Sequence, residues 1–395
     1  MTEPISIAEA RRRVLDGLRP LRAEPVALDA GLDRVLAEDV RSEIDVPPFD
    51  SSAMDGFAVV AGPGAELRVI GESRAGHPAA ETVRPGTAVR ISTGAAVPAG
   101  ATAVVPIERT EPGGGAAVLV PQTAPGQNIR RAGEDVRRAD VVLRAGAPLG
   151  PAELGVAASV GRRDLLCSPR PRIALLVTGD ELVDPGEPLG PGRIYGSNGH
   201  ALAAQIGRAG ATLAMRASVP DTAAGTRAAV ASALEVADLV CVSGGVSVGE
   251  HDHVKGALRE LGVRERFWGV RLRPGKPTWF GDRDGTLAFG LPGNPVSAMV
   301  TFQLFVRPAL AALQGADPQP RRTSAVLDEP IPRHARREQA VRVRLRADHD
   351  GWHARSTGAQ GSHMLTSMLG ADALALIDVG DGEVAAGKRI EVELL

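Results

Sequence analysis

Two carboxylates beside a glycine-rich turn define the chemistry open to this chain. Residues 238–261 read DLVCVSGGVSVGEHDHVKGALREL. The apolar run at 238–242 predicts a short buried parallel strand. Ser243, Gly244, Gly245, Ser247 and Gly249 then form a turn in which glycine lets the backbone approach a ligand, and Val254, Leu258 and Leu261 predict one helical face behind it. Such a strand, turn and helix aim backbone N–H groups at one point, which suits a phosphate. Glu250 and Asp252 would repel that phosphate unless a cation lay between, so the stretch predicts a metal-assisted nucleotide or phosphate site. It is not a P-loop, because no Gly-Lys-Ser/Thr follows the glycines, and it lacks a spaced dinucleotide fingerprint. Alone, a turn that merely turns reads equally well; the neighbouring segments decide.

Three acidic turns fall at predicted strand ends: Thr178-Gly179-Asp180-Glu181, Pro220-Asp221 and Gly249-Glu250-His251-Asp252. Acids cap helices in such places, but ligands of open α/β sheets also bind there, and three acids on one rim favour a site. Arg271, Arg273 and Lys276 surround Pro274-Gly275 and are expected to face that rim. Asn294, Pro295 and Ser297 open the last long helix, whose N-terminus favours anions. Farther toward the N-terminus, residues 44–58 read IDVPPFDSSAMDGFA, an irregular segment that carries Asp50 and Asp55. Arg130 and Arg131 lie beside Glu134 and Asp135, either a surface charge mixture or a clamp for an anionic ligand. His363, in a Gly-Ser turn, reads as a hydrogen-bonding turn residue, and His251 with His253 lacks a third zinc ligand.

The elements that must position these groups are predicted as follows. Residues 172–312 alternate strand and helix: strands at 173–177, 212–219, 239–242, 278–280 and 287–289, helices at 201–209, 222–237, 254–261 and 296–313. That pattern is a doubly wound α/β domain. Residues 57–145, rich in Gly, Pro, Val and Thr with alternating runs at 87–91 and 116–120, predict a small β domain, and 320–395 a β-barrel or sandwich. At the N-terminus, Ser6 and Glu9 make a capping box before an amphipathic helix over 4–18, whose stripe of Ile7, Val14, Leu15 and Leu18 would pack on another subunit or element.

Composition excludes several classes. A formal net charge of −2 provides no drive toward nucleic acid or an acidic membrane. Cys167 and Cys241 are the only cysteines, which rules out a disulfide framework or a cysteine-rich zinc site. No signal-like segment or run of 18 apolar residues occurs, so a cytoplasmic protein is expected.

The segments PPFDSSAMDGFAV, NIRRAGEDV, TGDEL, SGGVSVGEHDHVK, RPGKP, LPGNPVS and TGAQGSHML, in this order over nearly the whole chain, resemble the molybdopterin molybdenumtransferases, the MoeA and gephyrin E-domain type. The resemblance implies a multidomain α/β plus β fold with a central MogA-like α/β domain at 171–316. It further implies a small β domain at 44–137, an elongated dimerisation domain from 1–43 and 138–170, and a C-terminal barrel-like domain at 317–395. It implies insertion of molybdate into adenylylated molybdopterin with release of AMP, Mg²⁺ as cofactor, and a homodimer whose site forms between one subunit's α/β domain and the other's small β domain. By motif, Asp55, Asp135, Asp252 and Lys276 take catalytic roles, and Glu181, Asp221 and Asp252 hold the metal. Ser243, Gly244, Gly245, Ser247, Arg130, Arg273, Asn294, Pro295 and Ser297 contact substrate, with Arg342 a weaker match. Gly269 stands where the family usually carries lysine, and Arg273 where it carries lysine or glutamine. Expected partners extend to the molybdopterin adenylyltransferase and molybdoenzyme-maturation proteins. Two alternatives stay open, an adenylyltransferase and a non-catalytic scaffold, as does tungstate in place of molybdate.

Overall fold

Strands covered by helices on both faces must be apolar through their middles, and those leading to the glycine turn are, at 173–177 and 239–242. The computed structural model describes residues 3–246 and 253–395. They divide into two units, one of Met1–Glu24, Asp33–Ala37 and Leu166–Leu395, the other of Pro25–Leu32 and Glu38–Leu165.

The first unit contains a six-stranded sheet of β1 (Arg172–Thr178), β2 (Thr212–Val219), β3 (Leu239–Ser243), β4 (Arg264–Trp268), β5 (Trp279–Arg283) and β6 (Thr286–Leu291), in the order β2-β1-β3-β6-β5-β4. The four strands from β2 to β6 are parallel, and β5 and β4 are antiparallel additions. Side chains alternate between two cores. Ile173, Leu175, Leu239, Cys241 and Phe289 point to one, and Ala174, Leu176, Val240, Val242 and Ala288 to the other. Helices α3 (Ala223–Val236) and α4 (Val254–Glu260) cover the second face. The first is covered by α2 (Asn198–Arg208) and by α5, a continuous helix over Pro295–Leu313.

Helix α5 has a mean hydropathy of 1.5, enough by composition to cross a membrane, yet 72% of that window is buried inside this unit, as suits a core helix. Its Phe302–Val306 segment widens into a π-turn. Pro308 explains this, since it has no N–H to offer the carbonyl four residues back. That carbonyl, on Leu304, instead accepts from Arg11 Nε at 3.0 Å.

Arg11 belongs to α1 (Ile7–Leu15), whose Ile7, Ala10 and Val14 are buried in the same core. Each large apolar side chain so placed contributes about 1.5–3 kcal/mol. This stripe is therefore used within the chain, and residues 1–24 belong to the first unit. Half of the capping box forms: Ser6 Oγ accepts the Glu9 N–H at 3.1 Å, while the Glu9 carboxylate binds Arg12 and Arg13.

The C-terminal strands Arg322–Leu327, Glu338–Asp348, Gly351–Ser356, Ala373–Ile377 and Arg389–Leu394 pair in a closed ring, a five-stranded barrel filled by residues such as Val341, Val343 and Val392. On its outside His353 holds Asp328 at 2.7 Å through Nδ1 and Asp350 at 2.8 Å through Nε2. These two carboxylates raise the His353 pKa above its ordinary 6.5. A raised folded-state pKa stabilises fully below the unfolded value and is lost as pH rises through the folded one. The melting-temperature gap between wild type and His353→Gln should accordingly be widest just below pH 6.5 and narrow as pH climbs above it. A gap that widens with pH would contradict the clamp.

In the second unit, a six-stranded sheet runs in the order Ala103–Pro106, Gly56–Val59, Thr87–Ile91, Ala65–Ser73, Ala117–Val120, Glu111–Pro112, as the alternating runs predicted. Helix Pro151–Ser159 also lies here.

Candidate functional site

A cleft of about 680 Å³ lies at the carboxyl ends of β1, β3 and β6. Each wall comes from a turn that follows a strand. The β1 turn supplies Thr178 and Glu181, the β2 turn Asp221, the β3 turn Ser243, Gly244 and Gly245, and the β6 turn Asn294, Pro295 and Ser297. The eight of these that the motifs mark for metal or substrate, Glu181, Asp221, Ser243, Gly244, Gly245, Asn294, Pro295 and Ser297, thus line one space.

The acidic rim is braced. The Asp180 N–H donates to Asp221 Oδ2 at 3.3 Å, and the Asp221 N–H donates back to Asp180 Oδ1 at 3.2 Å. Asp180 also receives, at its carbonyl, a hydrogen bond from Arg193 Nη1. Asp180 therefore ties two turns together, while Glu181 and Asp221 line the cleft. These are hard oxygen donors of the kind Mg²⁺ takes, an ion bound by one or two carboxylates together with substrate phosphates. Among the described residues, the one cluster of three potential ligands within ligating reach is Asp348, His349 and Asp350, two carboxylates and an imidazole that do not line this cleft. Asp252 and Ser247 lie outside the described residues.

The glycine turn differs from expectation in one respect. The Gly244 N–H is not aimed at a ligand; it donates to the Leu291 carbonyl at 3.0 Å, locking the β3 turn to the β6 turn. Gly244 and Gly245 have φ of +98° and +64°, and a Cβ on Gly244 would lie 2.5 Å from Thr178 Oγ1. Close packing of turns, more than donation by Gly244, requires glycine here. Ser243 is likewise occupied. Its buried hydroxyl accepts from Asn198 Nδ2 at 2.9 Å and donates to the Pro292 carbonyl at 3.4 Å, and Asn198 Nδ2 also reaches the Gly293 carbonyl at 2.7 Å. Asn198 went unnoticed in the sequence because nothing about one asparagine at a helix start marks it as a tie between two distant turns.

The barrel completes the cleft through the loop of residues 357–364. Asn294 Nδ2 donates to Ser362 Oγ at 3.0 Å, the Val296 N–H to the Ser362 carbonyl at 3.2 Å, and His363, exposed, lines the cleft. Arg342 holds this loop from within the barrel. It is 1% exposed and donates to Ser367 Oγ at 2.9 Å and to the Ala359 and Gly361 carbonyls at 3.4 Å. Burial pulls its pKa down to about 10.

The three cations of the Pro-Gly turn do not all face the acidic rim. Arg273 lines a separate cleft of about 300 Å³ against the barrel, together with Arg342, Gln339 and Gln360. Lys276 and Arg271 are exposed, and of this turn only Pro277 lines the strand-tip cleft. Gly269 has φ +91°, a conformation that disfavours any side chain, and its carbonyl accepts from the Ile5 N–H at 3.2 Å. A backbone turn stands where a lysine was expected.

In the second unit, Asp55 Oδ1 accepts from the Thr93 N–H at 2.6 Å and from its hydroxyl at 3.0 Å, which lowers the Asp55 pKa. Asp50, unassigned from sequence, bridges loops by accepting from Arg131 Nη1 at 2.6 Å and the Ala132 N–H at 2.9 Å. Of the two arginines, Arg131 is thus structural. The side chains of Arg130 and Asp135 are exposed and bond to none of the described residues.

Known proteins share this architecture. Residues 5–161 match the MoeA N-terminal region (domain I and II), 174–312 a probable molybdopterin binding domain, and 324–395 the MoeA C-terminal region (domain IV). The chain is 37% identical to a molybdopterin molybdenumtransferase of Haemophilus influenzae and 39% identical to molybdopterin molybdenumtransferase 2 of Mycobacterium tuberculosis, in both cases over 98% of each chain. A solved molybdopterin biosynthesis MoeA protein from Pyrococcus horikoshii superposes with a TM-score of 0.85 at 30% identity, covering 100% of both chains.

Proposed function

The chain belongs to the molybdopterin molybdenumtransferase family, and from that premise we propose that it transfers molybdenum from molybdate to adenylylated molybdopterin, releasing AMP. One observation carries the reading. Two acids, Glu181 and Asp221, face a glycine turn and a helix N-terminus across one strand-tip cleft large enough for a nucleotide.

In this reading Pro295 and Ser297, at the start of α5, receive the phosphates at the positive end of the helix dipole. Glu181 and Asp221, with Asp252, would hold Mg²⁺, which when bound neutralises phosphate charge and polarises the adenylyl phosphorus. Lys276, exposed beside the cleft-lining Pro277, orients the molybdate oxyanion, whose tetrahedral oxygens suit such a donor, whereas Arg273 lies in the separate cleft against the barrel. Water attacks the adenylyl phosphorus, its bond to the pterin phosphate oxygen breaks, and AMP and molybdopterin are the products. Where a molybdate oxygen attacks instead, the adenylyl group passes to molybdate and a water then hydrolyses that anhydride to release AMP. The two dithiolene sulfurs then displace two oxygens from molybdenum, which take up protons, including those of the thiols, and leave as water.

We assign Asp55, Arg130 and Asp135 to the same reaction across a homodimer. The exposed and uncommitted side chains of Arg130 and Asp135 support this, and so does the low pKa that keeps Asp55 ionised. A cytoplasmic location accords with substrates made and used inside the cell.

The test supplies adenylylated molybdopterin to the purified protein. AMP should appear only when molybdate is added, and chelation by EDTA should abolish its release until Mg²⁺ is restored. AMP release that ignores molybdate, or consumption of ATP with unmodified molybdopterin, would replace this reading with an adenylyltransferase. Binding of the nucleotide without any turnover would leave a scaffold.

A further inference from the structure

A second cleft, of about 500 Å³, opens between the C-terminal half of α2, the middle of α5 and the barrel strand Arg389–Leu394. It shares no lining residue with the strand-tip cleft. Three arginines enter it, Arg208, Arg307 and Arg321, and no aspartate or glutamate is among the described residues that line it.

Arg307 is the unusual member. It sits where α5 returns from the π-turn, half-buried, and its guanidinium makes no hydrogen bond or ion pair with any described residue. Its Nε is closed off from solvent without a partner, and so is Gln205 Oε1 on the same wall. Burial lowers the Arg307 pKa; the nearby Glu393 opposes this, and Arg11 and Arg321 add to it. Glu393 cannot serve as its counter-ion, because Arg11 grips both of its oxygens at 2.7 and 2.5 Å and Arg322 binds it at 3.0 Å. Arg208 touches only the Leu395 main-chain oxygen, at 3.5 Å, and the side chain of Arg321 bonds to none of the described residues.

Packing of the aliphatic stem would explain a long side chain at position 307, but a methionine would pack as well. The charge needs its own reason, since a half-buried cation whose Nε is shut off from water without a partner is unfavourable. An anion in the cleft removes that penalty, and guanidinium forks match tetrahedral oxyanions. We propose that this cleft binds an oxyanion, either a free tetrahedral anion or the phosphate group of a larger ligand, at a site separate from the substrate pocket. The apolar shelf of Met299, Met368 and Leu394 leaves room for more than the bare ion.

The test measures melting temperature of the full chain against inorganic phosphate, sulfate and AMP at constant ionic strength. Phosphate should give a saturable rise of a few degrees in the wild type. In Arg307→Met the rise should weaken at least tenfold in half-saturating concentration, while the anion-free melting temperature equals or exceeds that of the wild type. Arg208→Ala/Arg321→Ala, which alters two exposed side chains, should lose the rise equally and keeps the question decidable should Arg307→Met fail to fold. AMP binding tighter than phosphate, with the same dependence on these variants, would identify a nucleotide-type ligand, and equal or weaker binding a bare oxyanion. Absence of a saturable rise overturns the proposal. So does a rise that survives in the double variant, because it would then belong to the strand-tip cleft.

Discussion

Asp221→Asn is expected to lower molybdate-dependent AMP release by about a hundredfold or more, with nucleotide affinity changed only a few-fold. The amide keeps the oxygen that accepts from the Asp180 N–H, and the Asp221 main-chain N–H still donates to Asp180, so the reciprocal tie between the β1 and β2 turns survives. Only the charge is lost. A melting temperature near that of the wild type, alongside the rate loss, separates the missing charge from a collapsed rim. Glu181→Gln should behave alike, because Glu181 lines the same wall. Excess Mg²⁺ should restore part of the rate if metal affinity is what was weakened. Full activity in both variants would leave the acidic rim with no part in the chemistry.

The second large effect is on folding. Gly244→Ala is expected to cost about 2–5 kcal/mol. At +98° its φ disfavours any side chain, and the added methyl would lie 2.5 Å from Thr178 Oγ1 and 2.9 Å from the Thr178 carbonyl. Relief would require β1 and the turn after β3 to part at the carboxyl edge of the sheet. Loss of melting temperature should be roughly 5–15 °C, at about 2–4 °C per kcal/mol for a domain of this size. Gly256→Ala makes the control. This glycine sits in α4 with nothing within 4 Å of the added methyl, and alanine there should be neutral or stabilising by up to about 1 kcal/mol. Equal behaviour of the two variants would contradict the close approach of the turns.

Much of the α/β fold was legible in the chain because its parallel strands are buried on both faces. Such strands read as short continuous apolar runs, and Arg172–Thr178 and Leu239–Ser243 stand where those runs lie. The strand Arg264–Trp268 escaped notice for the converse reason. It lies at the sheet edge, where one side faces water, and its sequence RERFW carries alternating charge rather than a hydrophobic run. Helix α1 was legible as an element but not as to its partner. Amphipathicity states that a face must be covered and is silent about what covers it, and here the α/β core does so.

The sequence by itself determined which segments are turns, which carry acids or arginines, and, through motif order, the family. These are local properties: glycine frees φ and proline fixes it, carboxylates attract cations, and apolar period sets the element type. Only the tertiary structure decided how those segments share their work. It set Asn198 between the Ser243 and Gly293 turns, 45 and 95 residues away from it, turned the Gly244 N–H toward Leu291, and drew Arg273 away from the acidic rim. It also left Arg307 charged and unmatched beside a second cleft. Each of these depends on which distant backbone a side chain meets after the core has packed, and no spacing along the chain encodes that distance.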